Sequence, residues 1–377
     1  MMDARMPKQP IKFNVHEMAG SMGDFGTLLP LAIGYIVVCG LDPAGFLVMM
    51  GLANIVAGLA YRLPMPIEPM KALAVIAIAQ QWTPSMVYAS ALGMGIVWLI
   101  LAATGAIGWI ARVTPQAVVS GIQVTLGVLL MVEALKLGET WWALAVISVV
   151  IVIALRQSPY APAAIVLVLL GMGIMLFKGE FVHIASPELQ LPSLTTFSAM
   201  QVWQTLVLAG FAQVPLTATN AVISTSSLIK RYWPEENVTV RKLSFSHGFM
   251  NILAPWFGGM PMCHGAGGLA GQYYFGARTA GANLIEGSFE IVLGLFFAGS
   301  IAAVFAAFPS AIVGAMMFMV GIELVKFVRV VSPGRDLVAT GATVLVSLLS
   351  NMALGYVTGL AVYWSLTAAL GKTAKAN

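Results

Sequence analysis

Leu63-Pro-Met-Pro-Ile-Glu-Pro-Met-Lys71 and Gly258-Gly-Met-Pro-Met-Cys-His-Gly-Ala-Gly-Gly268 interrupt two apolar segments at matching places in the halves of a 377-residue chain. In each stretch, Pro or Gly residues stop a helix and are followed by residues that allow a short new helix to begin. Paired helix breaks of this kind are typical of transporters built from two related halves, where they hold the substrate. The two breaks therefore predict a membrane transporter whose site lies between them.

The composition predicts an all-α polytopic membrane protein. Hydrophobic residues make up 59% of the chain and charged residues 9%, whereas soluble domains carry about 25% charged residues. The net charge of +4 is explained by positive loops of a membrane protein, so we expect no nucleic-acid partner. The two cysteines lie in different apolar segments and indicate no disulfide framework.

Hydropathy and helix breakers predict about fourteen transmembrane segments, with short ones that are tilted or broken. We expect a multi-pass protein of the inner or plasma membrane with both termini cytoplasmic. The predicted segments are residues 14–38, 43–61, 64–81, 84–111, 115–138, 141–156, 159–177, 203–229, 241–257, 259–276, 279–307, 309–329, 336–350 and 352–370. Around them we expect a cytoplasmic N-terminal segment (1–13), an extracytoplasmic loop (178–202) and a cytoplasmic tail (371–377).

The basic residues support this topology independently. With the N-terminus inside, all 19 Lys and Arg residues except Lys71, Lys136 and Lys178 fall on the cytoplasmic side. This bias follows the positive-inside rule and would be lost if one segment were missing from the middle.

The two halves show weak matches in the same order, which predicts an internal repeat of seven segments (14–177 and 203–370). Because seven is odd, the second half must be inverted relative to the first. Segments three and ten are then discontinuous and enter from opposite faces. The matching stretches are residues 25–31 with 210–216, 65–67 with 260–262, 115–121 with 309–314, and 133–136 with 323–326.

Extended residues followed by a helix would place both helix starts near the middle of the membrane. A helix start exposes unpaired N–H groups and about half a positive charge, so two facing starts predict a site for a small anion. Lys71 adds a full positive charge that is costly in lipid without an anionic partner. The predicted substrate-binding residues are Pro69, Met70, Lys71, Gln213, Thr217, Asn220, His264, Gly265, Ala266, Gly267 and Gly268.

Structural roles compete with several of these assignments. Lys71 could form a salt bridge with Glu68 one turn earlier, and the glycines could serve tight helix packing. Gln213, Thr217 and Asn220 are also typical of hydrogen bonds between helices. His264 could donate to the anion, titrate, or cap the helix start.

The acidic residues within the membrane suggest proton coupling. Asp24 lies near mid-depth in segment one, and with Glu68 it is a predicted proton carrier or cation ligand, against a structural partner role. Glu286 and Glu290 share one helix face and are predicted to bond neighbouring helices or to pair with Arg278.

The sequence resembles the molybdate-transporter family, a branch related to the sulfate permeases. The matching motifs are Gly23-Asp-Phe-Gly-Thr27, Pro64-Met-Pro-Ile-Glu-Pro-Met-Lys71-Ala, Pro261-Met-Cys-His-Gly-Ala-Gly-Gly-Leu-Ala-Gly-Gln272 and Phe275-Gly-Ala-Arg278. The resemblance extends from about residue 14 to 370. It implies a seven-plus-seven inverted repeat with a core part and a scaffold part, substrate held between segments three and ten, and oxyanion uptake.

Together these features lead to the hypothesis of a secondary active transporter that takes up molybdate, or a similar tetrahedral oxyanion, by alternating access with proton symport. A sulfate or general oxyanion carrier and an anion channel are the alternatives. An intramembrane enzyme using Cys263 and His264 is remote, because no third orienting group is evident. We expect no cofactor and no metal site. Membrane lipid surrounds the chain, and the sequence leaves a homodimer open.

Overall fold

A computed structural model describes residues 10–155, 163–179 and 187–373. Some sequence-based predictions lie partly outside these ranges. They are the first nine residues of the cytoplasmic N-terminal segment, the junction of segments six and seven (156–162), part of the extracytoplasmic loop (180–186) and the end of the tail (374–377).

The described chain is mostly helical, as expected for an apolar chain whose backbone groups must be satisfied inside a membrane. Helix starts carry the usual signals: Asp42 accepts from the amides of Ala44 and Gly45 ahead of a helix with Pro43 at its first turn. The helices are α1 (Val15–Ser21), α2 (Phe25–Val37), α3 (Pro43–Tyr61), α4 (Lys71–Ala79), α5 (Pro84–Thr104), α6 (Ile107–Val113), α7 (Gln116–Gly138), α8 (Trp142–Leu155), α9 (Ala163–Phe177), α10 (Ala199–Thr205), α11 (Phe211–Thr217), α12 (Ser224–Tyr232), α13 (Val240–Leu253), α14 (Ala266–Tyr274), α15 (Gly281–Phe296), α16 (Ala298–Ala307), α17 (Ser310–Val325), α18 (Arg335–Leu349) and α19 (Met352–Thr373).

Length and apolar composition allow a subset of these helices to cross a membrane on their own. Within the described residues there are 6 such helices, or up to 7 when the pair α15 and α16, bent by 84°, counts as one. They are Pro43–Tyr61, Pro84–Thr104, Gln116–Gly138, Ala199–Tyr232, Ser310–Val330 and Met352–Ala369. Shorter helices lie in the other predicted segments, and the count of fourteen stays a prediction.

The outer surface of the helices is apolar, which fits a protein surrounded by lipid. Val56, Ile100, Val150 and Leu345 are each more than half exposed, at 63%, 56%, 58% and 60%. A soluble protein rarely exposes large contiguous apolar patches.

The two predicted breaks meet each other. After α3 ends at Arg62 in the left-handed conformation (φ 60°), the chain runs extended to the strand β1 (Glu68–Pro69). After Gly258 (φ 82°) it runs extended to β2 (Met262–Cys263). The strands pair antiparallel, with Glu68 opposite Cys263 and Pro69 opposite Met262. Because antiparallel strands lead away in opposite directions, α4 and α14 begin at opposite ends of this ladder.

One asparagine side chain holds each extended segment. Asn283 of α15 accepts from the amide of Met65 at 2.7 Å and donates to its carbonyl at 2.6 Å. Asn251 of α13 makes the same pair of bonds with Met262, at 2.8 and 2.7 Å. Each asparagine bonds one backbone N–H and one C=O of the extended segment, as a neighbouring strand would. These buried backbone groups, which have no helix partner, are therefore hydrogen-bonded.

The long helix Ala199–Tyr232 is irregular where it passes the breaks. It contains two π-helical stretches, Leu206–Gly210 and Ala218–Ile223, on either side of Pro215. Proline lacks the N–H that an α-helix needs, and π-helical turns often occur at functional sites. Gln213 and Thr217 lie between the two π-helical stretches, and Asn220 lies within the second.

Candidate anion-binding site

A cavity of about 230 Å³ lies at the ladder formed by the two breaks. Its lining includes both predicted helix starts and the irregular helix. Eight of the residues singled out by the sequence line it: Glu68, Lys71, Gln213, Thr217, Asn220, Gly265, Ala266 and Gly267.

Lys71 is the one cationic side chain among the described residues that line the cavity. It is the first residue of α4, and 34% of its side chain is exposed. Its Nζ lies 3.7 Å from Oε2 of Glu68, whose side chain is only 2% exposed. Both roles considered for this lysine are therefore compatible: it pairs with Glu68 and also faces the cavity.

The start of α4 is capped by another part of the chain. Oε1 of Gln213 accepts from the amides of Ala72 at 2.7 Å and Leu73 at 3.2 Å, and the amide of Met70 donates to the carbonyl of Pro261 at 2.9 Å. Gln213 was expected to donate to an anion. Its amide group instead donates to the hydroxyl of Thr217 at 2.5 Å. The Thr217 hydroxyl accepts this bond, so its own proton is not used by Gln213 and can be donated to another group.

The start of α14 is open. No hydrogen-bond partner of the Ala266, Gly267 or Gly268 amides is found within the described part of the chain. A Cβ atom at Gly267 would meet nothing within 4 Å, because this position faces open space. These amides are the orphan donors of a helix start, and they can bind an anion.

The carboxylate of Glu68 lies against the glycines that begin α14. A Cβ atom at Gly265 or Gly268 would collide with the Glu68 carboxyl group, so only glycine allows this close approach. An acidic group of the protein thus lies beside the place where an anion would bind. A carboxylate there would repel an anion with two negative charges unless its own charge is balanced, and Lys71 is paired with it.

Several predicted residues do not line the cavity. Pro69 and Met70 are buried in the ladder, and Gly268 packs behind it against Glu68 and Pro66. Asp24 is 3% exposed and lies near Glu68 without contributing to the lining.

His264 is fully buried and acts as a brace between segments. Its Nδ1 lies 3.2 Å from the carbonyl of Pro66 and its Nε2 lies 2.7 Å from the hydroxyl of Ser246. Nδ1 must donate to the carbonyl, so Nε2 accepts from the serine. Its amide donates to Nε2 of His247 at 3.1 Å. Because both ring nitrogens are engaged, the expected donation from this side chain to the anion is not available in this arrangement.

The structure adds polar residues that the sequence did not single out as ligands. Gln123 of α7, Ser224 and Cys263 line the cavity, together with the apolar side chains of Leu324 and Phe327. Gln123 lies in a long apolar helix with no adjacent Pro or Gly. Only the polarity of its side chain could have indicated from the sequence that it lines a site. The described residues contain no cluster of His, Cys, Asp or Glu that could hold a metal ion.

Comparison with known families and proteins places these features in context. A family model described as "Molybdate transporter of MFS superfamily" matches residues 16–130 and 205–324, together more than half of the chain. Molybdate transporter 1 of Arabidopsis thaliana is 28% identical over 92% of this chain and 87% of its own length. Molybdate transporter 1 of Chlamydomonas reinhardtii is 26% identical over 96% of this chain and 93% of its own. The resemblance expected from the sequence is confirmed.

Solved structures show the same fold at low identity. The transmembrane domain of a cyanobacterial bicarbonate transporter, BicA, aligns with a TM-score of 0.65 at 18% identity, covering 92% of this chain and 96% of that one. The murine anion transporter Slc26a9, in its inward-facing state, aligns with a TM-score of 0.71 at 14% identity, covering 98% of this chain and 70% of that one.

Proposed function

Because the chain belongs to the molybdate transporter family, we propose that it takes up molybdate by alternating access, with protons moving alongside the anion. Family membership and fold make it a multi-pass membrane transporter of anions rather than an enzyme. The choice of molybdate, the proton coupling and the alternating access are our proposal.

The observation that carries the proposal is the convergence of Lys71 and the open start of α14 on one cavity. Molybdate is a tetrahedral dianion with oxygen acceptors on all sides. Lys71 supplies a charged donor, and the amides of Ala266 and Gly267 supply backbone donors from another direction. The hydroxyl of Thr217 and the amide group of Asn220 complete a shell of donors.

The proposed topology has fourteen membrane segments in two inverted repeats, residues 14–177 and 203–370. In this arrangement the breaks are discontinuous segments three and ten, and both helix starts lie near the middle of the membrane. Gln123, Leu324 and Phe327 line the cavity together with the breaks, and in the proposed mechanism they form one side of the site and the breaks form the other. Movement of one side against the other would open the site to each face in turn.

Uptake of a dianion requires a driving force. Against an inside-negative potential of 100 mV, two negative charges cost about 4.6 kcal/mol, at roughly 2.3 kcal/mol per charge. Protons that enter with the anion cancel this cost. Glu68 and Asp24 are the proposed carriers, since protonation of Glu68 also removes the negative charge beside the anion site.

Purified protein in proteoliposomes provides the test. We expect uptake of labelled molybdate that exceeds the electrochemical gradient of the anion and is accompanied by alkalinisation outside the vesicles. Molybdate uptake without proton movement would reject symport, and uptake that never exceeds the gradient would indicate a channel. Equal inhibition by sulfate, tungstate and molybdate would indicate a general oxyanion carrier.

A further inference from the structure

A group of buried carboxyl groups lies behind the start of α14. Asp24, Glu68, Glu286 and Glu290 are between 2% and 4% exposed. Glu286 interacts electrostatically with the other three, and Asp24 interacts with Glu68 and Lys71. Lys71 pairs with Glu68, and its charge also acts on Asp24. Glu286 and Glu290 lie one helical turn apart, and two charged carboxylates buried there would form an excess of negative charge, which proteins avoid by binding protons.

The hydrogen bonds identify two members of the group as half satisfied. Oε2 of Glu286 accepts from Gln272 at 3.3 Å, and Oε2 of Glu290 accepts from Asn54 at 2.9 Å. The Oε1 atom of each glutamate has no hydrogen-bond partner among the described residues. Oε1 of Gln272, whose side chain is fully buried, is also without a partner there and can accept from a protonated carboxyl group.

Among the described residues, no salt bridge joins either of these two glutamates to a basic side chain of the elements packed against α15. Arg278, their expected partner, instead donates to backbone carbonyls and stacks on the ring of Tyr273 at 3.6 Å. From α1, the carboxylate of Glu17 is occupied by backbone amides of Arg278, Thr279 and Ala282, and His16 is exposed. From α3 the group facing Glu290 is the neutral Asn54.

We propose that Glu286 and Glu290 form a proton-binding pair, whose occupancy rises when an oxyanion binds at the start of α14. The proposal rests on the proton-coupled transport proposed above and extends it to a site behind the cavity. A dianion beside Glu68 adds negative charge near all four carboxyl groups, so anion binding favours proton binding and, reciprocally, protons favour the anion. Each proton forms one O–H bond on a carboxylate and neutralises one negative charge.

Calorimetric titration of molybdate into the purified protein, in buffers of different ionisation enthalpy, measures the protons bound per anion. We expect the wild type to take up protons and E286Q and E290Q to take up fewer. The control is E133Q, which removes a buried glutamate of α7 that pairs with Lys136. It should leave the number of protons bound per molybdate unchanged. In proteoliposomes with a pH gradient of one unit, losing one coupled proton should lower the accumulation ratio about tenfold.

The outcomes separate this inference from the proposed function. If the wild type and E133Q bind no molybdate, the proposed function fails. Infrared spectra still decide the inference in that case: wild type at neutral pH should show absorption of protonated carboxyl groups, reduced in E286Q and E290Q. Proton uptake and infrared absorption that stay at the wild-type level in both variants would overturn the inference. If a variant does not fold, the infrared spectrum of the wild type still tests the inference. A wild type without absorption of protonated carboxyl groups would overturn it.

Discussion

The two helix starts at the breaks differ although their sequences were expected to act as a pair. The start of α4 is capped: Gln213 occupies the amides of Ala72 and Leu73. The start of α14 has free amides that face the cavity. One start is therefore mainly structural and presents Lys71, whereas the other presents its backbone. Two similar stretches of sequence thus present two different kinds of donor to one cavity.

The predicted alignment of the halves gives the cap of α4 no counterpart at α14. The match of residues 25–31 with 210–216 sets Leu28 opposite Gln213. Leu28 is a buried apolar residue and offers no acceptor. The same alignment sets Ala32 opposite Thr217, so Gln213 and Thr217 of the cavity lining both have apolar counterparts in the first half.

Loss of the charge at α4 should have the largest effect. In K71M the anion loses its one side-chain cation and Glu68 loses its partner, so we expect about 3 kcal/mol weaker binding, more than a hundredfold in Kd. K136M is the matched control, because Lys136 also pairs with a glutamate three residues earlier but is 61% exposed. Calorimetry with molybdate checks this, and near-wild-type affinity in K71M would show that the anion does not bind beside α4.

Filling the open start of α14 should weaken binding without harming the fold. In G267A the new methyl group meets no protein atom within 4 Å and occupies the space proposed for the anion. We expect about 2 kcal/mol weaker binding, the usual cost of overpacking, while thermal stability stays the same or rises. G341A, also in open space on α18, is the control. Unchanged affinity in G267A would place the anion elsewhere.

Removing the cap of α4 should lower stability more than affinity. Q213M leaves two buried amides without an acceptor, which costs about 1.5 kcal/mol of stability. Thermal unfolding in detergent, beside a titration with molybdate, separates the two effects. A large loss of affinity at unchanged stability would instead make Gln213 a ligand of the anion.

The brace at His264 should give the smallest effect. S246A removes the donor to Nε2 and should cost about 1 kcal/mol of stability. Because both ring nitrogens are engaged in the brace, we expect the pH profile of molybdate uptake to keep its midpoint. A shifted midpoint in S246A would indicate that His264 titrates during transport.

The breaks and the membrane class could be predicted because they depend on local chemistry. The run Pro64, Pro66 and Pro69 and the pair Gly258-Gly259 favour a helix break locally, and a chain with 9% charged residues has the composition of a membrane protein. The partners of the breaks could not be predicted in this way. Gln213 caps residues 141 positions away, and Asn283 holds a residue 218 positions away.

Residue type alone did not identify the hydrogen-bond partners of the buried polar side chains. A histidine beside a glycine-rich helix start suggests an anion donor, but the fold uses both nitrogens of His264 to join Pro66 and Ser246. Glu286 and Glu290 were expected to bond neighbouring helices or to pair with Arg278. The bonds to neighbouring helices are present, from Gln272 of α14 and Asn54 of α3, but Arg278 contacts backbone carbonyls instead of either glutamate. Polarity in a buried segment predicts that a partner exists but does not identify it.

A structure of the protein bound to tungstate, an electron-rich analogue of molybdate, examines the anion site directly. We expect one strong density peak in the cavity, with oxygens about 3 Å from the amides of Ala266 and Gly267 and from Nζ of Lys71. A peak outside the cavity, or one held without the α14 amides, would contradict the assignment of the open helix start as the binding site.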